Sequence, residues 1–113
     1  MGKTPQDSST LVQGTLDMLI LRTVALEPIH GYGIAQRIEQ VSRGVFVARP
    51  GSLFAAFRRL ERAGYIRTQW KTTEFNRRAK YYSLTAAGTR YLEKSEREWR
   101  RQTEAISAIL QHN

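Results

Sequence analysis

Residues 65–84, YIRTQWKTTEFNRRAKYYSL, run at a period of two inside a chain that otherwise repeats at helical spacing. Ile66, Thr68 and Trp70 alternate with Arg67, Gln69 and Lys71; Lys80, Tyr82 and Leu84 alternate with Ala79, Tyr81 and Ser83. Successive side chains of a strand point to opposite faces, so this alternation predicts strands. Two such runs separated by polar residues predict one β-hairpin, with its tip near Thr72–Arg78 and Trp70 in its core. The chain must therefore fold as helices arranged around a single hairpin.

The helices before it can be placed from their apolar spacing. Leu11 to Leu26 carries one stripe of Val12, Leu16, Leu19, Ile20 and Leu26 and a second of Leu11, Met18 and Ala25. A helix apolar on more than one side is covered on more than one side. Ser8, Ser9 or Thr10 can cap it and Pro28 closes it, which predicts a first helix over 9–26. Ile34, Ile38 and Val41 mark one face of a second helix that Gly44 terminates. Pro50 suits the first turn of a third. Its inner stripe is Leu53, Phe57 and Leu60, and it ends at Gly64. The opposite face holds Ser52, Ala55, Ala56, Arg59 and Arg62, with Arg58 at its edge.

After the hairpin, Thr85 caps a last helix that runs to about Gln111 and spans roughly 39 Å at 1.5 Å per residue. Leu92, Ser95, Trp99, Thr103, Ile106 and Leu110 form a narrow seam along it, flanked by mixed charges. A long helix with a narrow apolar stripe calls for a partner helix. A homodimer meets that need, with the last helix of one copy against the first helix of the other. Leu11, Met18, Leu92, Trp99, Ile106 and Leu110 would line the interface. A folded-back pairing within one chain is the alternative.

The chain has 113 residues and a net charge of +8. Residues 58–80 hold eight Lys/Arg against two Asp/Glu, whereas the segments before and after are close to balanced. Positive charge concentrated in this way attracts polyanions, nucleic acid before membrane surfaces. No apolar run is long enough for a membrane span, and the absence of cysteine excludes disulfides and fits a reducing, cytoplasmic setting.

Helix, helix, turn, helix, hairpin is the order of a winged helix. The expected fold is mainly α with a β-hairpin, a winged helix-turn-helix with a long C-terminal dimerisation helix. Residues 1–8 would be a flexible lead-in, 9–84 the DNA-binding domain and 85–113 the dimerisation helix. The third helix can enter the major groove of duplex DNA while the hairpin reaches the backbone. This makes Arg49, Ser52, Ala55, Arg58, Arg59 and Arg62 candidate contacts from the recognition helix. Asn76, Arg77, Arg78 and Lys80 are the candidates from the wing.

GTLDMLILRTVALEPIHGYGIAQRI, PGSLFAAFRRLERAGYI and NRRAKYYSLTAAG stand in the order of, and resemble, the opening helices, recognition helix and wing of the PadR family of bacterial transcriptional regulators. The resemblance covers about residues 11–92. It implies a dimeric winged-helix regulator, usually a repressor, of the smaller subclass with one C-terminal helix. The family's Gly-Ser/Thr-Leu/Ile-Tyr-Pro reads Gly51-Ser52-Leu53-Phe54-Ala55 here, so the tyrosine hydroxyl and the proline are both missing. Some members bind flat aromatic molecules between helices, which makes Trp99 a candidate ligand contact as well as a candidate dimer-core residue.

No enzyme is expected. His30 and His112 lie far apart, no nucleophile triad or carboxylate pair presents itself, and Gly31-Tyr32-Gly33 lacks the remainder of a phosphate-loop pattern. No cofactor or metal is expected. The function predicted is sequence-specific binding to double-stranded DNA as a homodimeric repressor on an inverted repeat. The alternative is a ligand-sensing winged-helix module with weak DNA binding.

Overall fold

A computed structural model describes residues 6–7 and 13–112. Leu11, and the expected helix start at residues 9–12, lie outside the described residues. The elements in order are β1 (Gln6–Asp7), α1 (Gln13–Leu26), β2 (Ile29–His30), α2 (Gly31–Val41), β3 (Phe46–Val47), α3 (Pro50–Arg62), β4 (Ile66–Thr72), β5 (Arg78–Leu84) and α4 (Ala86–Gln111). The mainly helical winged helix-turn-helix, the hairpin and the long last helix are as expected. Two short strands add to them. β2 pairs antiparallel with β5, giving a three-stranded sheet in the order β2-β5-β4. β1, within the stretch expected to be a lead-in, pairs parallel with β3.

The ends of the elements follow local chemistry. His30 caps α2, its Nδ1 accepting from the Gly33 N–H at 3.0 Å. α2 closes through Arg43 and Gly44, both at positive φ, with the Gly44 N–H donating to the Glu39 carbonyl at 2.8 Å. α3 begins with Pro50, whose missing N–H costs nothing there, and turns out of the helix at Gly64, φ +80. Thr85 joins wing and last helix. Its Oγ1 accepts from the Gly88 N–H at 2.9 Å and donates to the Gly64 carbonyl at 2.7 Å.

One core holds the helices to the sheet. Ile20, Leu21, Ile34 and Leu60 are fully buried at its centre, with Leu16, Val24, Ile38, Leu53, Phe57, Ile66 and Tyr82 around them. The α2 and α3 stripes read from spacing supply Ile34, Ile38, Leu53, Phe57 and Leu60. Ala56, expected on the open face of α3, is fully buried, because it sits within the arc that faces the core. Trp70, expected in the wing core, is exposed on the sheet and stands 5.7 Å from the Arg78 guanidinium.

α4 divides into two halves. Its N-terminal half lies along α1 of its own chain and buries Leu92; Met18 of α1 is buried as well. Both residues were expected to await a second copy, so the intrachain pairing accounts for this half. Arg22 pairs with Glu96 at 3.7 Å along the same contact, and Tyr65, between α3 and β4, stacks on Tyr91 at 4.3 Å. From Arg97 onward every residue of α4 except Thr103 is exposed. The projecting half stretches the molecule to 57 × 35 × 20 Å. It also raises the radius of gyration to 15.4 Å, against about 13 Å for a compact chain near this length.

Candidate nucleic-acid interface

α3 has 13 residues, and its helical geometry decides which of its side chains can meet a ligand. Leu53, Ala56, Phe57 and Leu60 are buried and define the inward arc. Opposite them, at i, i+4, i+7 and i+11, stand Gly51, Ala55, Arg58 and Arg62. Arg58 and Arg62 are exposed. Ser52 and Arg59 lie on the flank turned toward α1; Phe54 and Glu61 lie on the other.

Arg59, expected to face a ligand, is drawn inward instead. Its Nη2 donates to a carboxylate oxygen of Asp17 in α1 at 2.7 Å, and the two side chains are 32% and 10% exposed. Its Nε is buried without a hydrogen-bond partner. Burial pushes the Asp17 carboxyl above its ordinary value of 3.8, and the hydrogen bond and charge of Arg59 act against that rise without cancelling it. The helical spacing predicts Arg59 on the open face and Arg58 at its edge; the acid on α1 turns Arg59 inward.

The wing runs in unbroken register from Ile66–Leu84 to Thr72–Arg78. Its tip is a turn over residues 73–77. The Thr73 N–H donates to the Arg77 carbonyl, and Thr73 Oγ1 accepts from the N–H groups of Phe75 and Arg77 at 3.2 Å each. Asn76 takes the left-handed conformation, φ 60, which asparagine tolerates better than most residues. Its place at the tip therefore has a backbone reason of its own. Arg77 and Arg78 are exposed beside the turn.

Lys80 sits two residues back from Arg78, which closes the pair next to the tip; it is half-buried, with its Nζ 3.7 Å from a Glu61 carboxylate oxygen. Thr68 Oγ1 donates to the other Glu61 oxygen at 3.3 Å. Glu61 thus ties both wing strands to the flank of α3 and sets the wing beside the stripe of Arg58 and Arg62. Sequence reasoning passed over Glu61. Its signal was that it is one of two acids among residues 58–80.

A second feature lies on α4. Trp99 is 45% exposed and stands between two open grooves. One, of about 400 Å³, is lined by Gly14, Thr15, Met18, Tyr91 and Ser95; the other, of about 300 Å³, by Leu19, Arg22, Phe46 and Glu96. Beyond it Ile106, Ile109 and Leu110 are exposed on the projecting half of the helix. Among the described residues no cluster of His, Asp and Glu could hold a metal ion, and no helix is long and apolar enough to cross a membrane.

Comparison with known proteins places this arrangement. The profile of the family described as "Transcriptional regulator PadR-like family" matches residues 20–94. An uncharacterised protein of Lysinibacillus sphaericus is 30% identical over 103 residues, covering 91% of this chain and 94% of its own. The structure of a transcriptional regulator from Clostridium thermocellum superposes with a TM-score of 0.77 at 29% identity, over 85% of this chain and 93% of that one. The crystal structure of a PadR family transcription regulator from Clostridium difficile gives 0.74 at 28% identity, over 84% and 97%.

Proposed function

The chain belongs to the PadR-like family of transcriptional regulators, and from that premise we propose that it acts as a homodimeric repressor that covers a promoter at an inverted-repeat operator. The observation that carries this reading is the exposed stripe of Arg58 and Arg62 on α3, with Arg77 and Arg78 on a wing tethered to the same helix through Glu61. In the proposed complex α3 lies in the major groove, and the wing arginines rest on phosphates of the adjoining backbone. Charge on phosphate positions the protein, and the α3 face selects the sequence.

The open surface of α4 calls for a second copy. Trp99, Ile106, Ile109 and Leu110 leave apolar surface open along the half of α4 that, among the described residues, is exposed from Arg97 onward except at Thr103. Pairing two such helices would bury these residues and set two copies of α3 at a fixed separation. Half-sites should then recur one helical turn, or a multiple of it, apart.

A second reading concerns Trp99. The ring and the two grooves beside it suit a flat aromatic effector, which would shift the dimer between two spacings of its recognition helices. Quenching of Trp99 emission by a planar cationic dye, in a Trp70→Phe background that leaves one tryptophan, tests it directly.

Selection of bound fragments from a random duplex pool at physiological salt tests the main reading. The expected result is an enriched inverted repeat. Recovery of unrelated sequences, with affinity that vanishes as salt rises, would leave only the attraction of a basic surface for a polyanion.

A further inference from the structure

We propose that the N-terminal half of the α3 face reads thymine through its C5-methyl group, with Phe54 and Ala55 as the specificity-determining residues. This deepens, and rests on, the DNA-binding reading above.

The open face of α3 changes chemistry along its length. Toward its C-terminal end it offers Arg58 and Arg62. Toward its start it offers Gly51 and the half-buried Ala55, with Phe54 exposed on the adjoining flank, none with a side chain that can donate or accept a hydrogen bond. Ser52, the one hydroxyl on α3 itself, is half-buried on the flank shared with Arg59. In the major groove, bases present donors, acceptors and one apolar group, the thymine methyl. A face lacking polar side chains can gain only from that methyl, and it leaves the donors and acceptors of other base edges unmatched.

Phe54 is built to make such a contact. It is 53% exposed yet held in place, its ring edge-to-face with Phe57 at 5.8 Å and 85°. Phe57 belongs to the core. Behind it the start of α2 packs closely, since a Cβ at Gly31 would lie 3.1 Å from the Phe57 ring and 4.0 Å from Phe54. Exposed Tyr32 and Pro50 line the same shallow hollow. An aromatic edge fixed at the rim of the recognition helix presents apolar surface without losing side-chain entropy on binding. Arg58 follows Phe54 by four residues, about 6 Å along the axis, or roughly two base-pair steps at about 3.4 Å each. The half-site should therefore pair a thymine with a guanine about two steps away, since arginine donates to guanine O6 and N7.

The test uses the selected operator and the full-length protein. Each thymine is replaced in turn by deoxyuridine, which deletes the methyl and keeps every base-pairing group. Affinity is read by fluorescence anisotropy at fixed salt. At one thymine per half-site the loss should be about fourfold, and about fifteenfold when both half-sites are changed, from the burial of one methyl each. Phe54→Ser should abolish the difference between thymine and uracil at that position, and Phe54→Leu should keep most of it. Uracil tolerated at every position overturns the inference while leaving DNA binding intact. So does a uracil effect that persists unchanged in both Phe54→Ser and Ala55→Gly. Failure to bind any duplex overturns the DNA-binding reading itself, and the inference with it.

Discussion

The Arg59 guanidinium stands 2.7 Å from a carboxylate oxygen of Asp17, across the contact between α3 and α1. An arginine of α3 is thereby used inside the protein. Its removal should act on stability before it acts on DNA. At pH 7 Arg59→Ala should cost about 1–3 kcal/mol, because it strands a buried carboxylate without its donor. The cost should also depend on pH. The Asp17 pKa is raised above 3.8, mainly by burial, with Arg59 holding it down. A carboxyl with a raised pKa binds its proton more tightly in the folded state. Its contribution to stability is complete below pH 3.8 and lost as pH rises through the folded value. Taking away Arg59 raises that pKa further, so the variant's deficit should be small near pH 3.5 and grow toward neutrality. Urea unfolding at the two pH values checks this; an equal deficit at both would assign the effect to lost packing.

Arg58→Ala should weaken operator binding by about 1–3 kcal/mol and relax selection at one base position. Arg62→Ala should also weaken it, and neither change should shift the unfolding midpoint, since both side chains are exposed. Unchanged affinity in both variants would remove this face of α3 from the complex.

Replacing Arg77 and Arg78 with Ala should lower affinity alike for all sequences. It should flatten the dependence of log K on log salt by about 2 per wing, one phosphate contact per arginine. Lys80→Ala should change the slope less, because its ammonium already faces Glu61.

The two halves of α4 should respond differently to substitution. Trp99→Asp should dissociate the proposed dimer, with sedimentation at micromolar concentration giving a folded single chain. Leu92→Ala should lower stability by about 2–5 kcal/mol and leave association intact, because Leu92 belongs to the intrachain core. A Trp99→Asp protein that stays dimeric would place the ring outside the contact between copies.

Gly88→Ala should be costly although alanine favours helix. A Cβ there would run into the Tyr65 carbonyl oxygen and the Leu84 side chain. The strain should cost about 1–3 kcal/mol and loosen the corner where α4 leaves the wing, visible as a lowered midpoint of thermal unfolding.

Much of the fold was legible because it rests on spacing. Apolar periods give most of the inward faces of α2 and α3, though Val41 is exposed and Ala56 buried against expectation; the alternation of residues 66–84 yields the hairpin, and Pro50, Gly64 and Thr85 mark the joints. The candidate interface was legible only as a location. Charge counting along the chain finds the basic stretch but treats Arg58, Arg59 and Lys80 alike. Contact between elements distinguishes them, since Asp17 lies 42 residues from Arg59 and Glu61 lies 19 from Lys80.

The sequence by itself determined the architecture, the position of the positive charge and the need for more apolar cover on the last helix, because these follow from side-chain period and composition within single elements. Only the tertiary structure decided which cations stay available, which half of α4 its own chain satisfies, and that Phe54 is braced at the rim of α3. Each of these depends on a residue distant in the chain arriving within a few ångströms, and short-range hydrogen bonds and packing carry no signature in local spacing.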